Sequence, residues 1–243
     1  MPMATYLYCV RSDPVSPADW LAGIDGARVR ALEVDDLIAW VSDAGSTTVE
    51  PTVARLKAHD AVCAAALESG ETPLPVRFGQ TFAEDGATIA GIQSRARELR
   101  ARLARVAGCV ELRVVVTIGQ DADPAPSTSE PIDASPPGDA SSAGEIEGPG
   151  TAFLRRLARA GRADLARETG CEEVRRAIRA AAKMIIVDQQ RCETVRGLAY
   201  FPVLVRHDDV AAFRDVVTDT LPSQAIHLSV LGPFAPYSFA ADA

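Results

Sequence analysis

The chain lacks several features that mark whole classes of protein. Aromatic residues make up only 5% of its 243 residues, and lysine occurs only at Lys57 and Lys183. No stretch approaches the ~20 consecutive apolar residues that a membrane-spanning helix requires. The first residues show no charged segment followed by an apolar run, as a secretory signal would. These absences predict a cytoplasmic protein without a membrane span.

Phosphate-binding features are also missing. Neither a GxGxxG nor a GxxxxGK[ST] loop occurs, so nucleotide binding has no support in the sequence. The formal net charge is −8, whereas nucleic-acid binding relies on clustered Lys and Arg that neutralise phosphates. The sequence therefore argues against a nucleic-acid partner.

The cysteines form no recognisable site. They are odd in number and scattered, without a CxxC pair, which fits neither a disulfide framework nor a zinc site. We predict that all are buried free thiols and that the protein needs no metal or cofactor. The cysteines are Cys9, Cys63, Cys109, Cys171 and Cys192.

What the chain does have is the composition of a soluble globular protein, with 47% hydrophobic and 24% charged residues. One stretch departs from it. Between Gln120 and Gly150, Pro, Ser, Gly and acidic residues replace every regular pattern, and no Lys or Arg occurs. This predicts a disordered acidic linker at 120–150, between an N-terminal domain at 1–119 and a C-terminal domain at 151–243.

The first domain is predicted to be an α+β sandwich. Apolar alternation and β-forming residues predict four strands, and apolar stripes predict two helices. The segment Pro73–Ala83 mixes prolines with apolar residues, which favours an ordered loop or edge strand. The predicted strands are Thr5–Val10, Val29–Val34, Leu37–Ser42 and Cys109–Ile118, and the helices are Thr52–Ser69 and Ala87–Val106.

The second domain is predicted to combine a helical hairpin with α/β alternation. Helices at Ala152–Glu168 and Glu172–Val187 would join around Gly170. A strand at Leu198–Val205, a helix at Val210–Leu221 and a strand at Ile226–Leu231 follow. The predicted fold class is thus α+β with two domains, each an antiparallel or mixed sheet with packed helices, the C-terminal one ferredoxin-like.

A catalytic interpretation would begin with the histidines. His59 and Cys63 share a helix face at a spacing of four, which could make a thiolate pair or hold a metal, although two ligands are too few for a site. His207 precedes a helix start where Asp208 would cap it, and His227 falls in a strand. We favour a packed or capping histidine at position 59 and predict that the protein is not an enzyme, with a thiol or metal enzyme that uses Cys63 and His59 kept as the alternative.

The last segment, Gly232–Phe239, reads Gly-Pro-Phe-Ala-Pro-Tyr-Ser-Phe. Its two prolines stiffen the backbone and its three aromatic rings require cover. We expect it to pack as a strap across its own C-terminal domain rather than to project as a hook for a partner.

This ending resembles the Gly-Pro-Trp-Pro-Pro-Tyr-Ser-Phe ending of the gas vesicle GvpL/GvpF family. Three further segments resemble that family in the same order: Tyr6-Leu7-Tyr8, His59-Asp60-Ala61-Val62 and Leu74-Pro75-Val76-Arg77-Phe78-Gly79. The chain departs from the family pattern at Cys9, Phe234 and Ala235, where Gly, Trp and Pro are usual.

The resemblance implies a gas vesicle assembly protein or minor vesicle component, located in the cytoplasm and at the gas vesicle. Its partners would be the shell protein GvpA and other accessory Gvp proteins, and no catalytic residue or cofactor is implied. The matching positions would be structural or interface residues. They are Tyr6, His59, Asp60, Arg77, Phe78, Gly79, Gly232, Pro233, Pro236, Tyr237 and Phe239.

One alternative remains open at this point. A ferredoxin-like regulatory module could bind a small ligand between its domains, with His59 and Arg77 as polar contacts.

Overall fold

A computed structural model of the chain describes residues 3–118, 168–195, 198–220 and 226–240. Within these ranges the chain forms two antiparallel sheets with packed helices, which confirms the predicted α+β class. The predicted linker at 120–150 and most of the predicted helix Ala152–Glu168 lie outside the described residues. Among the described residues, no helix has the length and apolar character needed to cross a membrane.

The first sheet has the strand order β2-β3-β1-β4, and β5 also pairs with β1. Strands β2 and β3 form a hairpin, with Asp35 at a φ of 57° in the turn. The short strands β4 and β5 lie along β1 at the ends of the proline-containing segment. The strands are β1 Ala4–Arg11, β2 Arg30–Val34, β3 Leu37–Ala44, β4 Leu74–Pro75 and β5 Thr81–Phe82.

Helices cover both faces of this sheet, so every residue of β1 is buried. Helix α1, Val53–Glu68, begins after Thr52, whose side chain accepts a hydrogen bond from the Arg55 N–H. It packs on the face that carries Tyr6 and Tyr8. Helices α2, Asp85–Ser94, and α3, Ala96–Val106, pack on the opposite face against Leu7 and Val10.

The prediction of one continuous helix over Ala87–Val106 is wrong, because the helix breaks at Arg95. There φ is −113°, and the Arg95 N–H donates to the Ile92 carbonyl three residues back, at 3.1 Å. The Ser94 hydroxyl donates to the Gly91 carbonyl at 2.8 Å. A serine hydroxyl that takes a backbone acceptor competes with the helical ladder. Both halves keep apolar residues on the sheet, with Ile92 of α2 and Leu99 and Leu103 of α3 buried.

The second sheet has the order β10-β6-β9-β7, and β8 also pairs with β9. Residues 168–181 form helix α4, and Val210–Asp219 form α5. Both helices cover the face that carries Val110, Leu112 and Val114. The strands are β6 Cys109–Ile118, β7 Ile186–Gln189, β8 Glu193–Val195, β9 Leu198–Arg206 and β10 Ile226–Phe234. The chain order β6-α4-β7-β9-α5-β10 is ferredoxin-like, as predicted.

The predicted assignment of Cys109–Ile118 to the first domain is corrected by this sheet. Strand β6 is hydrogen-bonded between β9 and β10, so it belongs with the second sheet. Its alternating residues showed that one face is buried, but alternation does not identify which helices cover that face.

Two predictions around α4 are also wrong. The helix passes through Gly170 without a break, and it ends at residue 181, so Ile186 and Val187 belong to β7. Pairing of β7 with the central strand β9 decides the state of these residues, since tertiary pairing overrides local periodicity.

The prediction of free thiols holds for three cysteines and fails for two. Cys171 on α4 and Cys192 before β8 form a disulfide, with Cα atoms 6.1 Å apart. Cys9, Cys63 and Cys109 are buried and free.

Candidate functional site

The four resembling segments meet around the buried imidazole of His59. His59 lies on the inner face of α1, with 3% of its surface exposed. Its Nδ1 is 2.9 Å from the Tyr6 hydroxyl of β1, and its Nε2 is 3.2 Å from the carbonyl oxygen of Val76, just after β4. We call Tyr6, Tyr8, His59, Phe78 and Tyr237 the His59 cluster.

The hydrogen bonds fix how the imidazole is protonated. The Val76 carbonyl can only accept, so Nε2 carries the hydrogen and donates it, and Nδ1 accepts from Tyr6. The Tyr6 oxygen in turn accepts from the Gly79 N–H at 3.0 Å. Burial lowers the pKa of His59, and the Val76 carbonyl opposes this only in part. The cluster therefore holds a neutral histidine in a satisfied chain of hydrogen bonds.

Aromatic contacts complete the cluster. The ring centroids of Tyr6 and Tyr8 are 4.8 Å apart, and that of Phe78 lies 5.8 Å from His59 in an edge-on arrangement. Tyr237 of the C-terminal tail reaches His59 at 6.1 Å. These spacings are typical of favourable aromatic pairs. Residues of all four resembling segments thus pack against one another in the interior.

The loop between β4 and β5 explains the motif from Leu74 to Gly79. The Val76 N–H donates to the Tyr8 carbonyl and the Gln80 carbonyl accepts from the Leu7 N–H, both at 2.9 Å, which ties the loop to β1. Gly79 has a φ of 88°, a region that favours glycine. This turn directs Phe78 onto the cluster and leaves Arg77 exposed.

The tail begins as the end of β10, where Gly232 is required by close packing. Its φ is 111°, and a Cβ there would lie 2.9 Å from the Glu111 carbonyl oxygen. The Gly232–Pro233 peptide is cis. Arg214 of α5 donates to the Gly232 carbonyl at 2.7 Å. Glycine at this position therefore allows the tail to pass close to β6 as it leaves the second sheet.

Beyond Phe234 the tail crosses to the first sheet, so the prediction of a strap across its own C-terminal domain is wrong. Ala235 packs with the apolar residues on the α1 side of the sheet, and Phe239 packs on the α2–α3 side. Tyr237–Ala240 form a short helix, α6. The tail thus contacts apolar residues on both faces of the first sheet, which bury its aromatic rings.

Glu111 of β6 anchors the tail from the second sheet. Its side chain is fully buried, and its carboxylate accepts from the Ser238 N–H at 2.7 Å and from the Ser238 hydroxyl at 3.0 Å. Arg113 Nε donates to the same carboxylate at 3.0 Å. In the sequence Glu111 lies between Val110 and Leu112 in an alternating strand, a position that gives no local sign of a buried acid.

The structure brings most of the resembling residues together but not all of them. Asp60, Arg77 and Pro233 are exposed and take no part in the cluster, whereas Pro236 is buried beside it. Sequence reasoning missed Glu111 because burial of a charged residue has no local pattern.

The alternative of a thiol nucleophile at Cys63 has the predicted proximity but the wrong charge state. Cys63 Sγ is 3.8 Å from His59 Nε2, yet burial raises the pKa of the thiol to about 12. A thiolate is the reactive form of cysteine, so this pair is not activated at neutral pH. Within the described ranges, no group of three or more His, Cys, Asp or Glu side chains could hold a metal ion.

The sequence is similar to known proteins along nearly the whole chain. Residues 4–241 match the model of the family described as gas vesicle synthesis protein GvpL/GvpF. The chain is 29% identical to gas vesicle protein L2 of Halobacterium salinarum, over 98% of this chain and 91% of that protein. It is 37% identical to gas vesicle protein F2 of the same organism, over 46% of this chain and 52% of the relative.

Solved structures share the fold. The crystal structure of GvpF from Anabaena sp. PCC7120 has a TM-score of 0.72 at 17% identity, covering 99% of this chain and 97% of that one. GvpF from Microcystis aeruginosa has a TM-score of 0.69 at 15% identity, covering 98% and 99% of the two chains.

Proposed function

We propose a role in gas vesicle assembly, or as a minor vesicle component, for this chain, because it belongs to the gas vesicle GvpL/GvpF family. It acts by protein contacts with the shell protein GvpA and other accessory Gvp proteins. Family membership along nearly the whole chain is the single observation that carries the proposal.

The buried positions of most resembling residues support a partner contact elsewhere on the surface of the chain. Tyr6, Tyr8, His59 and Glu111 are buried in the interior, so these side chains are not available to a partner. Partner contacts must then use surface residues. Large apolar side chains that are exposed close together on a protein surface are typical of interaction sites.

The start of α1 offers such side chains. Val53 is 70% exposed, and Leu56, one turn further, is 44% exposed. Trp20 is 79% exposed and precedes the turn Ile24–Gly26 that α1 packs against. Asp25 of that turn pairs with Arg55 at 2.8 Å. We call Trp20, Val53 and Leu56 the α1 surface, and it is our candidate contact for the small hydrophobic shell protein.

A pull-down from vesicle-forming cells tests this surface. The triple variant W20S/V53S/L56S should fold like the wild type, since surface substitutions usually change stability by less than ~0.5 kcal/mol, and should lose GvpA. The matched control is M184S/V187S/V195S, which replaces exposed apolar residues on and beside the second sheet. This variant should retain GvpA. If the triple variant retrieves as much GvpA as the wild type, the α1 surface is not the contact.

Deletion of the gene tests the role itself. Cells without this chain should lack mature vesicles, and normal vesicles in the deletion strain would overturn the proposal. Fractionation of purified vesicles then separates the two forms of the role, since a minor component stays with the shell and an assembly factor does not. Neither form requires catalysis.

A further inference from the structure

The first sheet and its helices, which we call the first unit, contain a cavity that the proposed function does not use. Its volume is about 420 Å³, and it opens between the β1–β4 edge of the first sheet and helices α2 and α3. This volume lies within the ~300–1,000 Å³ range of small-molecule sites. Its floor is apolar, formed by Leu7, Val10, Leu74, Phe82, Ile92 and Leu99.

The mouth of the cavity carries arginine side chains although the whole chain has a net charge of −8. Arg77, Arg95 and Arg102 line the cavity, and among the described residues that line it none is an Asp or Glu. Arg95 and Arg102 both pair with Glu98 on α3, and Arg102 also donates to the Ala240 carbonyl at 2.7 Å. Arg77 is exposed and makes no ion pair within the described parts of the chain.

We propose that this cavity binds an amphipathic carboxylate, a small molecule with an apolar chain and one terminal carboxyl group. The apolar chain lies against the floor, which removes apolar surface from water. The carboxylate pairs with Arg77 at the mouth, where a guanidinium group can form two parallel hydrogen bonds. A neutral or cationic head group gains nothing from this mouth.

The site differs from the sequence-based alternative in both place and residues. That alternative put a ligand between the domains, with His59 and Arg77 as contacts. The cavity lies inside the first unit, and His59 is not among its lining residues. Tyr237 and Ala240 of the tail form part of its wall, so the intact tail is needed to close it. This proposal does not depend on a gas vesicle role.

Isothermal titration calorimetry on the full chain tests the proposal, with decanoate as the probe, kept below its critical micelle concentration. Decanol has the same chain without a carboxylate, and butyrate has the carboxylate without the long chain. Decanoate should bind with saturation at one site and more tightly than either. The variant R77Q should weaken decanoate binding about tenfold, since a hydrogen-bonded charged partner is lost.

The matched control is R97Q, which also removes one positive charge from the same unit. Arg97 is exposed on α3, lies outside the cavity lining and makes no ion pair in the ranges that the structure covers. R97Q should bind decanoate like the wild type, and R77K should recover part of the lost affinity. Absence of saturable binding, equal binding of decanol, or equal affinities of R77Q and R97Q would each overturn the proposal.

Discussion

Tyr237 shows what a single aromatic residue of the tail contributes. Its hydroxyl oxygen is buried beside the Cys63 thiol and meets no partner in good hydrogen-bond geometry within the described parts of the chain. Burial raises the pKa of Tyr237, and the neighbouring Cys63 raises it further. The ring, in contrast, contacts His59. The ring rather than the hydroxyl should therefore stabilise the fold.

Two substitutions at position 237 separate these contributions. Y237F should leave the free energy of unfolding unchanged or raise it by up to ~1 kcal/mol, because it removes an unsatisfied polar group. Y237A should lower it by about 3 kcal/mol, because it leaves a cavity beside His59. Urea titration measures both. Equal losses in the two variants would show that the hydroxyl has a partner after all.

The buried neutral imidazole of His59 predicts how stability depends on pH. Burial lowers the pKa of His59 in the folded state below the ~6.5 of an unfolded chain. Below pH ~6.5 the unfolded state binds a proton more readily than the folded state, so stability falls as the pH decreases and levels off below the folded pKa. Above pH ~6.5 this contribution is complete.

The test compares the wild type with H59Q in urea titrations between pH 5 and pH 8. Glutamine can still donate and accept a hydrogen bond but does not titrate in this range. The wild type should lose stability relative to H59Q as the pH decreases. H207Q, which changes an exposed histidine instead of the buried one, is the matched control. Parallel curves for the wild type and H59Q would contradict the assignment.

The disulfide between Cys171 and Cys192 acts at the scale of an element. It fastens α4 to the segment before β8, and the Cys192 N–H donates to Glu172 of the same helix at 2.9 Å. Its sequence separation is 21 residues, for which loop closure predicts about 3 kcal/mol of stabilisation. This helix lies over the centre of the second sheet, so the bond should stabilise the whole unit.

The variant C192S should therefore lower the free energy of unfolding by about 3 kcal/mol under oxidising conditions. Dithiothreitol should bring the wild type close to C192S and leave C192S itself unchanged. A wild type whose urea midpoint does not respond to dithiothreitol would contradict a stabilising disulfide.

At the same scale, the sequence predicted most elements but not all of their partners. Alternation along Val110, Leu112 and Val114 correctly located β6, because a period of two depends only on one buried face. The sequence pattern does not show which helices cover that face, because α4 and α5 are distant from β6 in sequence. Likewise, the apolar stripe of α2 and α3 was visible, whereas the break at Arg95 depends on a hydroxyl of Ser94 that could have pointed to solvent.

The candidate site was less predictable than the elements that carry it. Short resemblances identified Tyr6, His59, Gly79 and Tyr237, but their mutual contacts required the fold. Glu111 and the path of the tail were not predicted, since a buried carboxylate and a crossing segment are set by long-range packing. The disulfide was not predicted because a separation of 21 residues does not show that Cys171 and Cys192 lie close together in the fold.

At the scale of the whole molecule, the tail makes the two sheets share one core. A single apolar cluster contains Leu7 and Leu74 of the first sheet, Cys109 and Leu204 of the second, and Phe239 of the tail. Partly independent units would unfold separately. A shared core of this kind should make the two sheets unfold in one cooperative transition.

The contact between Glu111 and Ser238 tests that coupling, because it joins β6 of the second sheet to the tail on the first. E111A removes the acceptor of both Ser238 donors and should lower the free energy of unfolding by about 2–3 kcal/mol. S238A removes only the hydroxyl and should lower it by about 1 kcal/mol. In a double-mutant cycle the two losses should overlap by at least ~0.5 kcal/mol. Far-UV and near-UV circular dichroism should still report one transition in S238A. Additive losses would mean that the carboxylate stabilises β6 alone, through Arg113, and that the tail is held by its rings.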